Sequence, residues 1–141
     1  MGTFDTGAVR EYLLGERRPW VETVCDCATA TAAGWDGDAT ADRDRVVPPF
    51  RAALDRAGAL AAAPDVLTGC VAAAGADLPA DPVPGPPYIV VTGEGLLLRA
   101  TLEGRLLVRV RTFTLRRGPD GPRYVRAGET PEAAVDVETT D

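Results

Sequence analysis

The hydrophobic period of this chain changes once, and that change limits its fold more than any other feature. Up to Gly75 apolar residues recur three or four apart, whereas from Tyr88 onward they alternate. Between the two regimes lies ADLPADPVPGPPY, residues 76–88, with five of the 12 prolines. A segment so poor in backbone donors suits neither a helix nor a central strand, and it predicts an extended connector over 77–87. Helices therefore come first and antiparallel strands second. We expect an α+β fold with three to four N-terminal helices packed on one face of a C-terminal antiparallel three- to four-stranded meander. At 141 residues the chain is about one domain long and needs no covalent staple. The expected domain covers 1–127, with helices over 5–76 and sheet over 88–126, and residues 128–141 are expected to trail as a mobile acidic tail, with docking of AAVDV, residues 133–137, as the alternative.

In the helical half, Asp5 or Thr6 can cap a first helix bearing Val9, Tyr12 and Leu13. Pro19 forces a kink or a restart, so residues 5–35 read as one interrupted helix or two. Trp20, Val24, Cys27, Thr31 and Trp35 advance by three or four and define one buried face. Pro48-Pro49 opens a further helix that Gly58 ends, with Phe50 and Leu54 inward, and another is expected from Pro64 to Gly75.

Cys25-Asp26-Cys27 invites a metal or redox reading. At about 100° of rotation per residue, however, the two thiols point about 200° apart on a helix. The chain offers one further thiol, Cys70, and no histidine, so a four-ligand zinc site is short of donors. All three cysteines read as packing residues. Asp36, Asp38, Asp42 and Asp44 lie in a Gly-containing loop that lacks the full ligand series of a calcium hand, and they read as capping and solubilising acids. We expect no metal and no cofactor.

Composition narrows the chemistry further. There is no Lys, His, Ser, Asn or Gln anywhere in the chain. Serine–histidine pairs, Schiff-base lysines and imidazole ligands are thereby excluded, which leans against an enzyme. The formal charge is −6, and an acidic, lysine-free surface suits concentrated salt. No run approaches the roughly 18 apolar residues of a membrane span, and the first residues carry charge where a leader would be apolar. With an odd, small number of cysteines, these features predict a cytoplasmic protein without membrane attachment.

The strands set the candidate surface. YIVVT, a loop at Gly93-Glu94-Gly95, a strand from Leu96 to Leu102, a loop at 103–105 and a strand from Leu106 to Val110 place Thr92 opposite Leu96 and Leu98 opposite Val110. Even-numbered residues then form an apolar face. On the odd face Ile89, Val91, Leu97 and Leu107 stand among Arg99, Arg109 and Arg111, with Phe113 beyond, and Arg99 lies opposite Arg109. Past Val110 the apolar parity switches to Phe113 and Leu115, predicting a bulge or a strand end, and RYVR is a candidate fourth strand.

Like charges across strands cost stability unless something relieves them. Residues 99–126 hold 8 arginines against two acids, whereas residues 127–141 hold 5 acids and no arginine. The protein's own helices or tail, a second protein, or a nucleic acid would each supply the missing charge. The negative total disfavours nucleic acid. The composition fits best a non-catalytic interaction module whose partner is a second copy of the chain or another protein. The alternatives are a small carboxylate-based metal- or anion-dependent enzyme and a weak nucleic-acid binder using the same face.

RDRVVPPFRAALDRAGAL, PPYIVVT and RYVRAGE together resemble a family of small uncharacterised proteins of halophilic archaea, across most of the chain. The resemblance implies a saline environment and a shared fold, and it carries no assigned activity and no functional residues.

Overall fold

The computed structural model describes residues 4–140; residues 1–3 of the expected domain and Asp141 of the expected tail lie outside the described residues. The Asp5 carboxylate accepts from the Ala8 amide at 2.9 Å and so starts α1, Thr6–Leu14, satisfying a donor that a first turn leaves free. Gly15 ends that helix. Pro19 falls at the start of α2, Arg18–Ala33, where its missing N–H costs nothing. Residues 5–35 are thus two helices. Trp20, Val24, Cys27, Thr31 and Trp35 are buried as their spacing predicts, and so is Cys25. The indoles pin both ends of α2: Trp20 Nε1 donates to the Ala59 carbonyl at 3.1 Å and Trp35 Nε1 to that of Arg45 at 2.8 Å.

The next helix, α3, is Val47–Arg56, with both prolines in its first turn. Gly58 takes a left-handed conformation (φ 78°) and α4, Ala59–Ala73, begins immediately after it. Pro64, expected to open this helix, instead lies in its second turn. The strong helix former Ala and the reversal at Gly58 favour the earlier start, and proline removes one backbone bond there.

The strands are β1 (Ala39–Thr40), β2 (Ile89–Thr92), β3 (Gly95–Thr101), β4 (Arg105–Arg111), β5 (Phe113–Gly118), β6 (Gly121–Arg126) and β7 (Val135–Thr140), with a short helix α5, Pro131–Ala134, before the last. The expected single meander is corrected here. The α+β architecture contains two antiparallel sheets, one ordered β2-β3-β4-β7 and the other β1-β6-β5. The parity switch after Val110 marks the break. Thr112 belongs to neither sheet, and the amides of Thr112 and Phe113 both donate to the Glu94 carbonyl, at 3.0 and 3.1 Å, as the chain turns from one sheet to the other. The RYVR segment forms β6, in the smaller sheet and not the larger.

The fourth strand of the larger sheet comes from the segment expected to trail as a tail. β7 pairs with β4, placing Val135 opposite Val110 and Val137 opposite Val108. Ala134 and Val135 are buried, which this segment's charge obscures in the sequence. Two arginines hold it. Arg10 donates to the carbonyls of Glu132 and Val135, both at 2.6 Å, and Arg18 forms an ion pair with Glu132 at 2.5 Å.

Three of the four long helices pack against the larger sheet: α3 and α4 meet β2, α4 meets β3, and α1 meets β7, while α2 packs on α3 and meets β6 of the smaller sheet. Leu96, Leu98, Ala100, Leu106, Val108 and Val110 fill the space beneath them. The opposite face carries the candidate surface.

Candidate interaction face and cleft

Register determines what this face contains. β2 pairs with β3 around a two-residue turn, Gly93-Glu94, so that Thr92 meets Gly95, Val91 meets Leu96 and Ile89 meets Leu98. The expected three-residue turn is wrong by one residue, and in a sheet one residue exchanges the faces. Ile89 and Val91 are consequently buried with the even residues of β3, leaving the interaction-face set. The slip buries Ile89 and Val91 in place of Tyr88, Val90 and Thr92. Gly95, assigned in sequence to the turn, serves the ladder: at φ 140° it lies so close to β4 that a Cβ would approach the Val110 carbonyl oxygen at 2.1 Å.

The β3–β4 hairpin keeps its expected parity with a shift of two. Ala100 meets Leu106, Leu97 meets Arg109 and Arg99 meets Leu107. Arg99 and Arg109 share a face, yet they are not opposite each other, and each guanidinium stem lies beside a leucine. That diagonal relieves the like-charge conflict expected between them. Phe113 is also removed from the surface. It is 1% exposed, with its ring 5.7 Å from Trp35 and 5.2 Å, edge-on, from Phe50.

Five of the eight expected surface residues therefore stand on the outer side: Leu97, Arg99, Leu107, Arg109 and Arg111. The strand that the sequence left out adds two acids. Arg109 pairs with Glu138 at 2.6 Å and with Asp136 at 3.5 Å, and Arg111 reaches Glu94 at 3.4 Å. Arg99 makes no ion pair among the described residues, and its Nε is buried without a hydrogen-bond partner.

Where this face runs past the β2–β3 turn it meets the smaller sheet, and a cleft of about 350 Å³ opens between them. Leu115 and Tyr124 are cross-strand partners on β5 and β6 and form one wall. Leu97 and the turn form another, and Arg43, Arg109 and Arg111 stand around it with Glu94. Gly93 lets the Tyr124 ring lie close against the turn, since a Cβ there would come within 2.8 Å of that ring and push it aside. Arg43, Leu115 and Tyr124 are residues the sequence did not bring to this site. The one signal available was the parity switch at Phe113, which exposes Leu115, 49% accessible, on a second sheet.

The thiols stand apart from both features. Burial pushes Cys70 up to about 12 and also raises Cys25 and Cys27. Cys25 Sγ faces the Gly128 carbonyl at 3.8 Å. Nearby, Arg126 donates to the carbonyls of Thr112 and Ala127 at 2.6 and 2.7 Å, and burial lowers its pKa. These groups tie the sheet crossing to α2.

A family described as "Domain of unknown function (DUF7988)" matches residues 7–140, spanning every strand and helix bar the first residue of α1. The chain belongs to the DUF7988 family. Comparison with curated proteins and with solved structures gave no match. In this DUF7988 domain the matched span includes β7, so the family boundary encloses the C-terminal strand that completes the outer face.

Proposed function

We propose that this DUF7988 domain is a non-catalytic interaction module, and that the outer face of its four-stranded sheet binds a second copy of the chain. One observation carries the reading. Arg99 has a buried Nε without a partner, beside half-buried Leu97 and Leu107, on a face that none of the long helices covers. A buried donor left unpaired costs about 1–3 kcal/mol, which Arg99 would recover by swinging its guanidinium outward to an acceptor on a second copy.

The face also has the composition a two-fold contact requires. An isologous interface must be complementary to itself. Here arginines on β3 and β4 lie beside acids on β7, so a two-fold rotation can set Arg99 and Arg105 of one copy against Asp136 and Glu138 of the other. Nucleic acid fits less well, because Phe113, the aromatic that the sequence pattern placed on this face, is buried beneath the sheets. The acidic, lysine-free composition supports a cytoplasmic domain working in concentrated salt, as the resemblance to proteins of halophilic archaea implies. Among the described residues no helix is long and apolar enough to cross a membrane.

Light scattering coupled to size exclusion, over a concentration series at high salt, tests the reading. The unaltered chain should elute at twice the chain mass, and Arg99→Glu with Leu107→Glu should elute at the chain mass with an unchanged far-ultraviolet spectrum. A monomer at every concentration would refute the homodimer.

A further inference from the structure

We infer that the cleft between the β2–β3 turn and the smaller sheet binds a small organic carboxylate with an apolar body. Its size is suitable: about 350 Å³ lies at the lower end of the roughly 300–1,000 Å³ typical of small-molecule sites.

Its chemistry is divided in the way such a ligand needs. Leu97, Leu115 and the Tyr124 ring supply apolar walls. Leu115 is one of only two large apolar side chains strongly exposed among the described residues, and a hydrocarbon body would remove it from water. The cationic side is not fully used. Arg109 is committed to Glu138 at 2.6 Å, but Arg111 meets Glu94 at only 3.4 Å, longer than the roughly 2.7–2.9 Å of a well-formed charge-assisted bond. Arg43 has no ion pair or side-chain hydrogen bond among the described residues. Two guanidinium groups with planar donor forks thus remain to receive a carboxylate, a geometry arginine matches with two parallel bonds.

Both sheets are needed to build the cleft. Arg43 follows β1, Leu115 and Tyr124 sit on β5 and β6, and Gly93 and Arg111 belong to the larger sheet. All lining groups come from one copy, so a single chain can form the site, although Leu97, Arg109 and Arg111 also belong to the face proposed above for the dimer.

Calorimetric titration of the full chain with naphthoate, and separately with inorganic phosphate, provides the test. Naphthoate should bind saturably. Arg43→Ala and Leu115→Ser, both at exposed positions, should each weaken it about tenfold or more while leaving the elution volume and circular dichroism unchanged. Phosphate, lacking an apolar body, should not compete at equal concentration. Absence of saturable naphthoate binding, or an affinity in either variant equal to that of the unaltered chain, would overturn the proposal, and phosphate competing equally would overturn the ligand class. Oligomeric state measured on the same samples separates failure here from failure of the homodimer.

Discussion

Arg109 on β4 and Glu138 on β7, 29 residues apart in sequence, form a 2.6 Å ion pair across adjacent strands. It joins the basic segment of the chain to its acidic end. Both side chains remain substantially accessible, at 32% and 49%, so water and salt screen the attraction. Glu138→Gln should lower the free energy of unfolding by about 0.5 kcal/mol at low ionic strength. In urea titrations the difference from the unaltered chain should vanish at molar salt. A loss of several kcal/mol would instead mark the pair as part of a buried network.

Removal of residues 129–141 tests the role of the last strand. Truncation would expose Val108 and Val110 along an open edge and discard buried Ala134 and Val135. Burial of a single valine is worth about 1.5–3 kcal/mol, so the truncated chain should lose about 3 kcal/mol or more and show a tendency to associate through the edge. Equal stability of the two chains in chemical denaturation would mean that β7 contributes nothing.

Glu132 has a pH signature. Its hydrogen bond with Arg18 holds its pKa below the ordinary carboxylate value in the folded state. Between the depressed and the ordinary value the unfolded chain binds the extra proton, so stability rises with pH through that window. The contribution is complete above the ordinary carboxylate value and is lost as pH falls through the depressed one. Glu132→Gln should flatten this part of the stability profile, measured by thermal unfolding from strongly acidic pH up to neutrality, and leave the slope of the profile above the ordinary carboxylate value unchanged. An acid limb identical in both proteins would show that the Arg18 pair carries no linkage.

The helical half was legible because a helix's burial pattern follows from nearby residues. Trp20, Val24, Cys27, Thr31 and Trp35 needed only their spacing to be assigned inward, and the first cap was narrowed by position to Asp5 or Thr6, of which the structure uses Asp5. Even so, Cys25 shows the reach of that argument. Its angular distance from Cys27 on the helix is right, yet both are buried because neighbours lie on two sides of α2.

The strands were harder, since their inward parity depends on turn length. One residue too many in the first loop placed Ile89 and Val91 on the wrong face, while a shift of two in the second loop left Arg99 and Arg109 on the right face with different partners. Local patterning thus established the α+β class and the arginine-rich face. Long-range pairing established the rest: that the strands divide at Thr112, that acidic β7 neutralises Arg109, and that Arg43, Leu115 and Tyr124 share a cleft. Such contacts join residues tens of positions apart, and the free energy that selects them comes from burying surfaces that no local window of sequence contains.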